Sequence, residues 1–450
     1  MTPDRIQAIA DQVVAGAARG ESVEAVATWS RDTEVRVYDG AVEAFTSAES
    51  AGVGVRVVVE GRVGFAWAGT LDEAAVRDAL DDARDNARFA SADPQAGLAD
   101  PDGVAPASLD LYDGRLEATG TDAKIRLALD LEAAVVGADP RIGIESVDYS
   151  DQVATSAIAS TSGVRAASTE TACALSAYVL ASGEEETTTG FGFSVGRHPE
   201  ALDVSATASD AVARAVRMLG AKPARSERLT VVLDPWVTAQ LIGLVAVVFS
   251  ADAVQKGRSL FANRIGEQVA SPLVTLVDDP TDPRQWGATS NDGEGIATRP
   301  VALIDSGVAS GFLYDSYTAR VAGAASTGSA VRHGFKTTPS PGPQAVGLRP
   351  GGLTAEQVWA QVGDGLLIQE VSGMHSGVNP VSGDFSTGAE GVRLRGGEPA
   401  EAVREVTIAS TLQRMLTDVV AVGNDVVFFP LEASGVSLAV AEVTLSGGAG

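Results

Sequence analysis

The run from Pro235 to Ala251 carries no charged side chain and is bracketed by Asp234 and Asp252. It is too apolar for a solvated surface. It also contains Thr238, Gln240 and Gly243, and it falls short of the roughly 20 residues that a membrane-spanning helix needs. The pattern predicts a helix buried on all sides. Such a helix needs a sizeable core around it, and a chain of 450 residues with 45% hydrophobic and 20% charged side chains can supply one. At about 150 residues per domain, that length corresponds to two or three domains.

Around this run the sequence reads as mixed helix and strand. Ile6, Ile9, Ala10, Val13 and Val14 share one helical face. Glu34–Tyr38, Gly54–Val59 and Val63–Ala68 read as strands, with a turn at Asp39-Gly40. Thr70 and Glu73 have the spacing of a capping box that opens a helix through Val76, Leu80, Ala83 and Ala87. Residues 91–120 read as a loop, and a helix is expected from about Thr121. Alternating strands are expected over 140–195, with Glu184-Glu185-Glu186 as a solvated turn, and a helix over 203–219. The polar connector Ala221–Ser226 sets a boundary between an N-terminal α+β domain, 1–220, and a C-terminal β-rich domain, 227–450. The second domain reads as largely antiparallel strands with a few helices, at 236–249, at 355–365 behind a second capping box (Thr354, Gln357), and near 410–420. Strands and helices do not alternate strictly, so the predicted class is α+β.

Composition narrows the function. The 33 basic and 59 acidic side chains give a formal charge of −26, a surface that repels phosphate backbones, so no nucleic-acid partner is expected. The single cysteine, Cys173, excludes an intramolecular disulfide and a cysteine-based zinc cluster, and reads as a small buried residue. Met1-Thr2-Pro3-Asp4-Arg5 lacks a basic head followed by an apolar core, so a soluble, cytoplasmic protein without a membrane partner is expected.

Motifs for chemistry are sparse. His198, His333 and His375 are too scattered for a zinc helix. Asp278-Asp279-Pro280 and Asn291-Asp292-Gly293-Glu294 suit turns and caps. Gly190–Gly196 and Gly52-Val53-Gly54 lack the spacing and context of a nucleotide loop. A serine triad from Ser372 or Ser376 with His375 and Asp384 lacks a G-x-S-x-G elbow. The most unusual stretch is Gly373–Gly388, whose glycines, Asn379-Pro380, Asp384 and hydroxyls suit a loop that offers its backbone to a partner or an extended peptide.

In order along the chain, several segments resemble the TldD/PmbA family. They are Val37–Gly40, Gly52–Arg56, Asp252–Ser259, Gly266–Leu273, Leu276–Pro280, Asp292–Gly295, Tyr317–Arg320, Ser326–Gly328, Gly373–Gly388 and Val422–Asp425. The resemblance spans nearly the whole chain. It implies a two-domain α+β subunit of a dimer that encloses a peptidase chamber for unfolded or leader-type peptides. In the zinc-bearing, TldD-type subunit, an H-E-x-x-x-H helix and a cysteine hold the metal. Here the corresponding interval, Trp236–Phe249, has no His, Glu or Cys, so the chain resembles the metal-free TldE (PmbA) type. No catalytic residue, metal ligand or cofactor is therefore expected. The expected partners are a TldD-type homologue, or a second copy, and a peptide. His375, Ser376, Gly377, Asn379, Gly383 and Asp384 are the expected contact residues. Two other readings are a homodimeric binding or scaffold protein without a zinc partner, and a metal-independent hydrolase using His375 and Asp384.

Overall fold

The computed structural model of the chain describes residues 1–184 and 186–448. Glu185 of the expected acidic turn lies outside them, as do the last two positions of the expected second domain. The first half runs α1 (Pro3–Ala15), β1 (Ser22–Tyr38), β2 (Ala41–Val59), β3 (Arg62–Ala68), α2 (Glu73–Phe89), α3 (Gly114–Ala118) and α4 (Thr121–Ala138). It continues through β4 (Ile142–Ser160), β5 (Arg165–Ser182), β6 (Thr187–Gly196) and α5 (Val204–Arg217). The six strands form one antiparallel sheet in the order β3-β2-β1-β4-β5-β6. The expected turn between β1 and β2 is present. Asp39 and Gly40 have φ of 52° and 72°, the left-handed pair that a two-residue hairpin turn requires.

Alternation along these strands decides what covers each face. Val23, Ala25, Ala27, Trp29, Val35 and Val37 of β1 point to one side and form a core with Val53, Val55 and Val57 of β2 and with residues of α1, α2, α4 and α5. The opposite face meets the second half at two places, where Val26, Ile158 and Val164 pack on Ile296 and Phe335, and where Phe191 and Phe193 of β6 pack on Trp236 and Phe429.

Two details differ from the sequence reading. The Thr70–Glu73 capping box does not form, because the helix starts two residues later than that box requires. Asp72 is the N-cap, and Thr70 Oγ1 donates to its carboxylate at 2.9 Å. The 91–120 stretch also contains α3 and is clamped to the second half. Arg320 donates to the carbonyls of Gln95, Gly97 and Leu98 at 2.8, 2.9 and 3.1 Å, and the Tyr317 hydroxyl donates to Asp93 at 2.8 Å.

The second half opens on β7 (Glu227–Leu233), α6 (Pro235–Val247), α7 (Ala251–Gln255), β8 (Leu276–Asp278), β9 (Val301–Asp305) and β10 (Val308–Ala309). Then come α8 (Ser316–Ala322), β11 (Ala330–Val331), β12 (Ser340–Pro341), β13 (Val346–Leu348) and α9 (Ala355–Val362). The last stretch holds β14 (Gly365–Ser372), α10 (Met374–Gly377), β15 (Asp384–Arg395), β16 (Glu398–Thr411) and α11 (Leu412–Thr417). It ends with β17 (Val419–Val422), β18 (Val427–Phe428), β19 (Ser434–Gly435) and β20 (Leu438–Ser446). The larger sheet runs β16-β15-β14-β7-β20-β17 and closes on itself because β16 also pairs with β20. A smaller sheet runs β10-β9-β8-β13. The fold is therefore mixed α+β, and no described helix is long and apolar enough to cross a membrane.

The halves meet at a buried ionic cluster. Arg56 of β2 donates to Glu24 of β1 at 2.6 Å and to Glu294 of the second half at 3.3 Å. Arg332 pairs with Glu24 from the other side, and the Ser316 hydroxyl and N–H donate to Glu294 at 2.6 and 2.8 Å. Burial alone would raise the Glu24 carboxyl, but the two guanidinium groups hold it below its ordinary range. Neighbouring Asp292 has no cation beside it. Its oxygens accept only backbone N–H groups, from Glu294, Ile296 and Ala330. Burial, then the Glu294 charge, pushes its pKa up to about 7 against those donors.

Two predictions follow from this packing. Val245 on α6 is 1% exposed while Val247 is 49% exposed, so Val245→Asp should abolish soluble folding by burying an unpaired carboxylate, at a cost on the order of several kcal/mol. Val247→Asp should leave soluble protein with a thermal midpoint close to the parent, and equal behaviour of the two variants would contradict this packing. The second prediction concerns pH. An acid whose folded pKa is raised contributes stability that is full below its unfolded pKa, 3.8, and is lost as pH rises through about 7. Asp292→Asn removes that dependence along with one acceptor, so the midpoint difference between parent and variant should be largest near pH 4 and narrow towards pH 8. Unfolding scans across that range would show a constant or widening gap if Asp292 titrates normally.

Candidate functional site

The uncharged run forms α6, and its start is fixed by polar chemistry. The Asp234 carboxylate accepts the Trp236 N–H at 2.8 Å, Pro235 takes the first helical position, and Arg214 pairs with Asp234 at 3.2 Å. Burial holds the Asp234 carboxyl above its ordinary range, although Arg214 and the Trp236 N–H oppose that shift. Gly435 of β19 lets the helix sit directly on the strand, because a Cβ there would lie 1.8 Å from the Pro235 carbonyl oxygen.

The expectation of a helix buried on all sides is overturned. Val237, Thr238, Ala239, Leu241, Ile242, Val245 and Ala246 are buried, but Gln240, Gly243 and Leu244 are half-buried and Val247 is exposed. These four positions, spaced i, i+3, i+4 and i+7, form one stripe. The stripe lines an open cavity of about 390 Å³, whose other walls include Pro343, Val346, Met374, His375, Leu431 and Glu432. The wall at 343–346 is held by Asp278, whose Oδ1 accepts the N–H groups of Gln344 and Ala345 at 2.9 and 2.6 Å. Burial pushes the Asp278 carboxyl up to about 6 even with those donors. The acidic pair expected in turns and caps thus includes one carboxylate that shapes the cavity wall.

The 373–388 segment is more structured than its composition predicts. Residues 374–377 form α10, and 384–388 already belong to β15, paired with β14 and β16. Of the six expected contact residues, His375 lines the cavity and is exposed. Ser376, also exposed, donates its hydroxyl to the Gly373 carbonyl at 3.2 Å. Gly377 lies against β15. The side-chain oxygen of Asn379 accepts the N–H groups of Val381 and Ser382 at 2.9 and 3.2 Å and closes the turn that follows. Gly383 has φ +85° and is buried, and a Cβ on it would lie 2.3 Å from Gln413 Oε1. Asp384 is exposed and accepts the Ser382 hydroxyl at 2.6 Å. The structure therefore brings His375 to the cavity and leaves the other five shaping the segment that carries it.

Sequence reading missed the cavity stripe and its partners Met374 and Leu431. The available signal was the pair Gln240 and Gly243, one polar and one minimal residue on the same face of an otherwise apolar helix.

The zinc site implied by the family resemblance can be tested against these side chains. Zn²⁺ takes three or four N, S or O ligands at about 2.0–2.3 Å. The stripe offers one amide, and the facing walls one imidazole and the exposed Glu432 carboxylate. Among the described residues no group of three or more His, Cys, Asp or Glu side chains converges on one point. These residues do not fit the metal.

Comparison with known proteins agrees with the fold and the order of motifs. Three family models match in sequence: PmbA/TldA metallopeptidase domain 1 over residues 23–87, the central domain over 114–219 and the C-terminal domain over 226–447. The Metalloprotease PmbA of Escherichia coli O157:H7 is 27% identical over 91% of this chain and 89% of its own length. The Metalloprotease TldD homolog of Haemophilus influenzae is 27% identical over 84% of this chain and 80% of its own length. The crystal structure of TldE from Thermococcus kodakarensis superposes with a TM-score of 0.89 over 99% of both chains, at 21% identity, which speaks to the fold alone. With its domains matched in order from residue 23 to 447, the chain belongs to the PmbA/TldD metallopeptidase family.

Proposed function

We propose that this chain is the metal-free, non-catalytic subunit of a two-subunit zinc metallopeptidase that acts on unfolded or leader-type peptides in the cytoplasm. The zinc-bearing subunit is a TldD-type homologue. The observation that carries this reading is the cavity face of α6. At the place where the family resemblance puts zinc ligands, Gln240, Gly243, Leu244 and Val247 meet a largely apolar wall with one imidazole. Such a surface suits the walls of a chamber and the apolar side chains of an extended peptide; the general bases it offers are the exposed His375 and Glu432, and a catalytic role for His375 is what the variant below tests. The segment through His375, Ser376, Gly377, Asn379, Gly383 and Asp384, exposed except at Gly377 and Gly383, sits at the rim and contacts partner or peptide. Engagement of Asp384 by Ser382 supports a structural role for that carboxylate over an acid–base role beside His375. The same reading divides the chain at the 221–226 connector into units 1–220 and 227–450, supported by two separate apolar cores.

Dialysed protein should contain no stoichiometric zinc by elemental analysis, and about one tightly held metal per chain would sink the assignment. Peptide cleavage by the chain co-expressed with a zinc-motif homologue tests the role itself. His375→Ala should retain most activity, whereas a loss of roughly 10²-fold with assembly intact is the scale of a lost acid–base group and would overturn the non-catalytic reading. Gly383→Val should destabilise the segment by about 1–3 kcal/mol, because a β-branched residue is forced into a left-handed backbone. Lower cleavage or assembly should accompany that loss, and a variant that matches the parent in both would remove the segment from the rim.

A further inference from the structure

Gly243 stands inside α6 although neither backbone nor packing calls for a glycine there. Its φ is not left-handed, and among the described residues a Cβ built on it would meet the Ala433 Cβ alone, at an ordinary 3.8 Å. Alanine is the more stable choice inside a helix. What the glycine supplies is room. Its bare face opens into the cavity of about 390 Å³ that Gln240, Leu244 and Val247 also line. That volume lies within the range of pockets that bury a small ligand.

The walls differ in stiffness. One side is α6 with the 343–346 segment, which Asp278 holds by the N–H groups of Gln344 and Ala345. The other includes Met374 and Leu431. An unbranched thioether adapts to neighbours of different shape, so this wall selects apolar bulk more than one outline. The charge is one-sided. Among the described residues Glu432 is the one Asp, Glu, Lys or Arg on the walls, and it is exposed. Residues 244–247, the last turn of α6, are wholly apolar, so no basic side chain there offsets the negative end of the helix. Gln240 adds an amide that can both donate to and accept from a peptide backbone.

We infer that this cavity is a side-chain subsite of the metal-free chain, and that it takes a large apolar residue of an extended peptide with a lysine or arginine beside it. The apolar side chain fills the space that Gly243 leaves open, against Leu244, Met374 and Leu431. The neighbouring cation lies towards Glu432, and Gln240 holds the peptide backbone. The inference rests on the reading of this chain as the supporting half of a peptidase and deepens it. The zinc-bearing subunit cuts, and this one selects by side chain which segment is presented.

Binding needs neither zinc nor cleavage, so the full chain is tested alone. The probe is a dye-labelled, unfolded Gly/Ser peptide with a central Phe-Lys pair, followed by fluorescence anisotropy. It should bind saturably. Peptides with Phe-Glu or Gly-Lys in that place should bind about tenfold or more weakly, the first through charge and the second through lost apolar burial. Glu432→Gln should bring the Phe-Lys and Phe-Glu affinities within about threefold of each other. Gly243→Leu fills the cavity from within and should weaken Phe-Lys binding by about tenfold or more. Circular dichroism like the parent's confirms that the variant is folded. Should it misfold, Val247→Arg decides at a position 49% exposed, and it should remove or reverse the preference for Phe-Lys over Phe-Glu. Absence of saturable binding, equal affinity for those two peptides, or a folded Gly243→Leu chain that binds as the parent does overturns the inference. A Gly243→Leu chain that keeps its peptide affinity and loses assembly with a zinc-motif homologue gives the cavity to the partner and overturns it too. Cleavage by the co-expressed pair without peptide binding to this chain would defeat the inference and leave the proposed function standing. Selective binding here without cleavage by the pair would do the opposite.

Discussion

The ionic cluster of Glu24, Arg56, Glu294 and Arg332 is the constraint on which the arrangement of the two halves depends. Glu24 and Glu294 are 2% and 1% exposed, and Arg56 is 8% exposed. Removing one member would strand the others in a low-dielectric interior, a loss of about 3–5 kcal/mol for a buried pair. Alternating strands turn this into a statement about register. Arg56 reaches the second half because even-numbered residues of β2 face it, while Val55 and Val57 face the helices. A one-residue slip between β1 and β2 would put a guanidinium into the helix-side core and a valine among carboxylates. The family motif Asp292–Gly295 is therefore structural here: it supplies Glu294 to the cluster and, through Asp292, gathers the backbone around it.

The cavity depends on that arrangement at one remove. With β7 and β14 paired in parallel and β20 on the other side of β7, the larger sheet offers one continuous face to α6. The helix buries what faces the sheet and leaves one stripe to the cavity. Whether a stripe in that position holds a metal or a hydrocarbon surface is decided by the four side chains on it, not by the backbone beneath. Under the proposed function, this lets one fold serve a catalytic and a supporting subunit alike.

Parts of this were legible because local chemistry determined them. Asp39-Gly40 has the left-handed geometry its composition predicts, and the Thr354–Gln357 capping box forms reciprocally, with bonds of 3.3 and 2.9 Å. Thr70–Glu73 matched the same pattern and failed, since Asp72 competes for the cap position and Thr70 turns to its carboxylate. The lengths of β1 and β2 were hidden for a different reason. Residues 41–50 have neither a buried face nor the alternation a buried face imposes, so nothing local marks them as strand; they are held there by pairing with β1. The start of β15 was masked by glycines that read as loop, although pairing with β16 from Asp384 onward dictates an extended backbone. The cavity stripe was hidden because an apolar helix facing an apolar cavity looks, in sequence, like an apolar helix in a core.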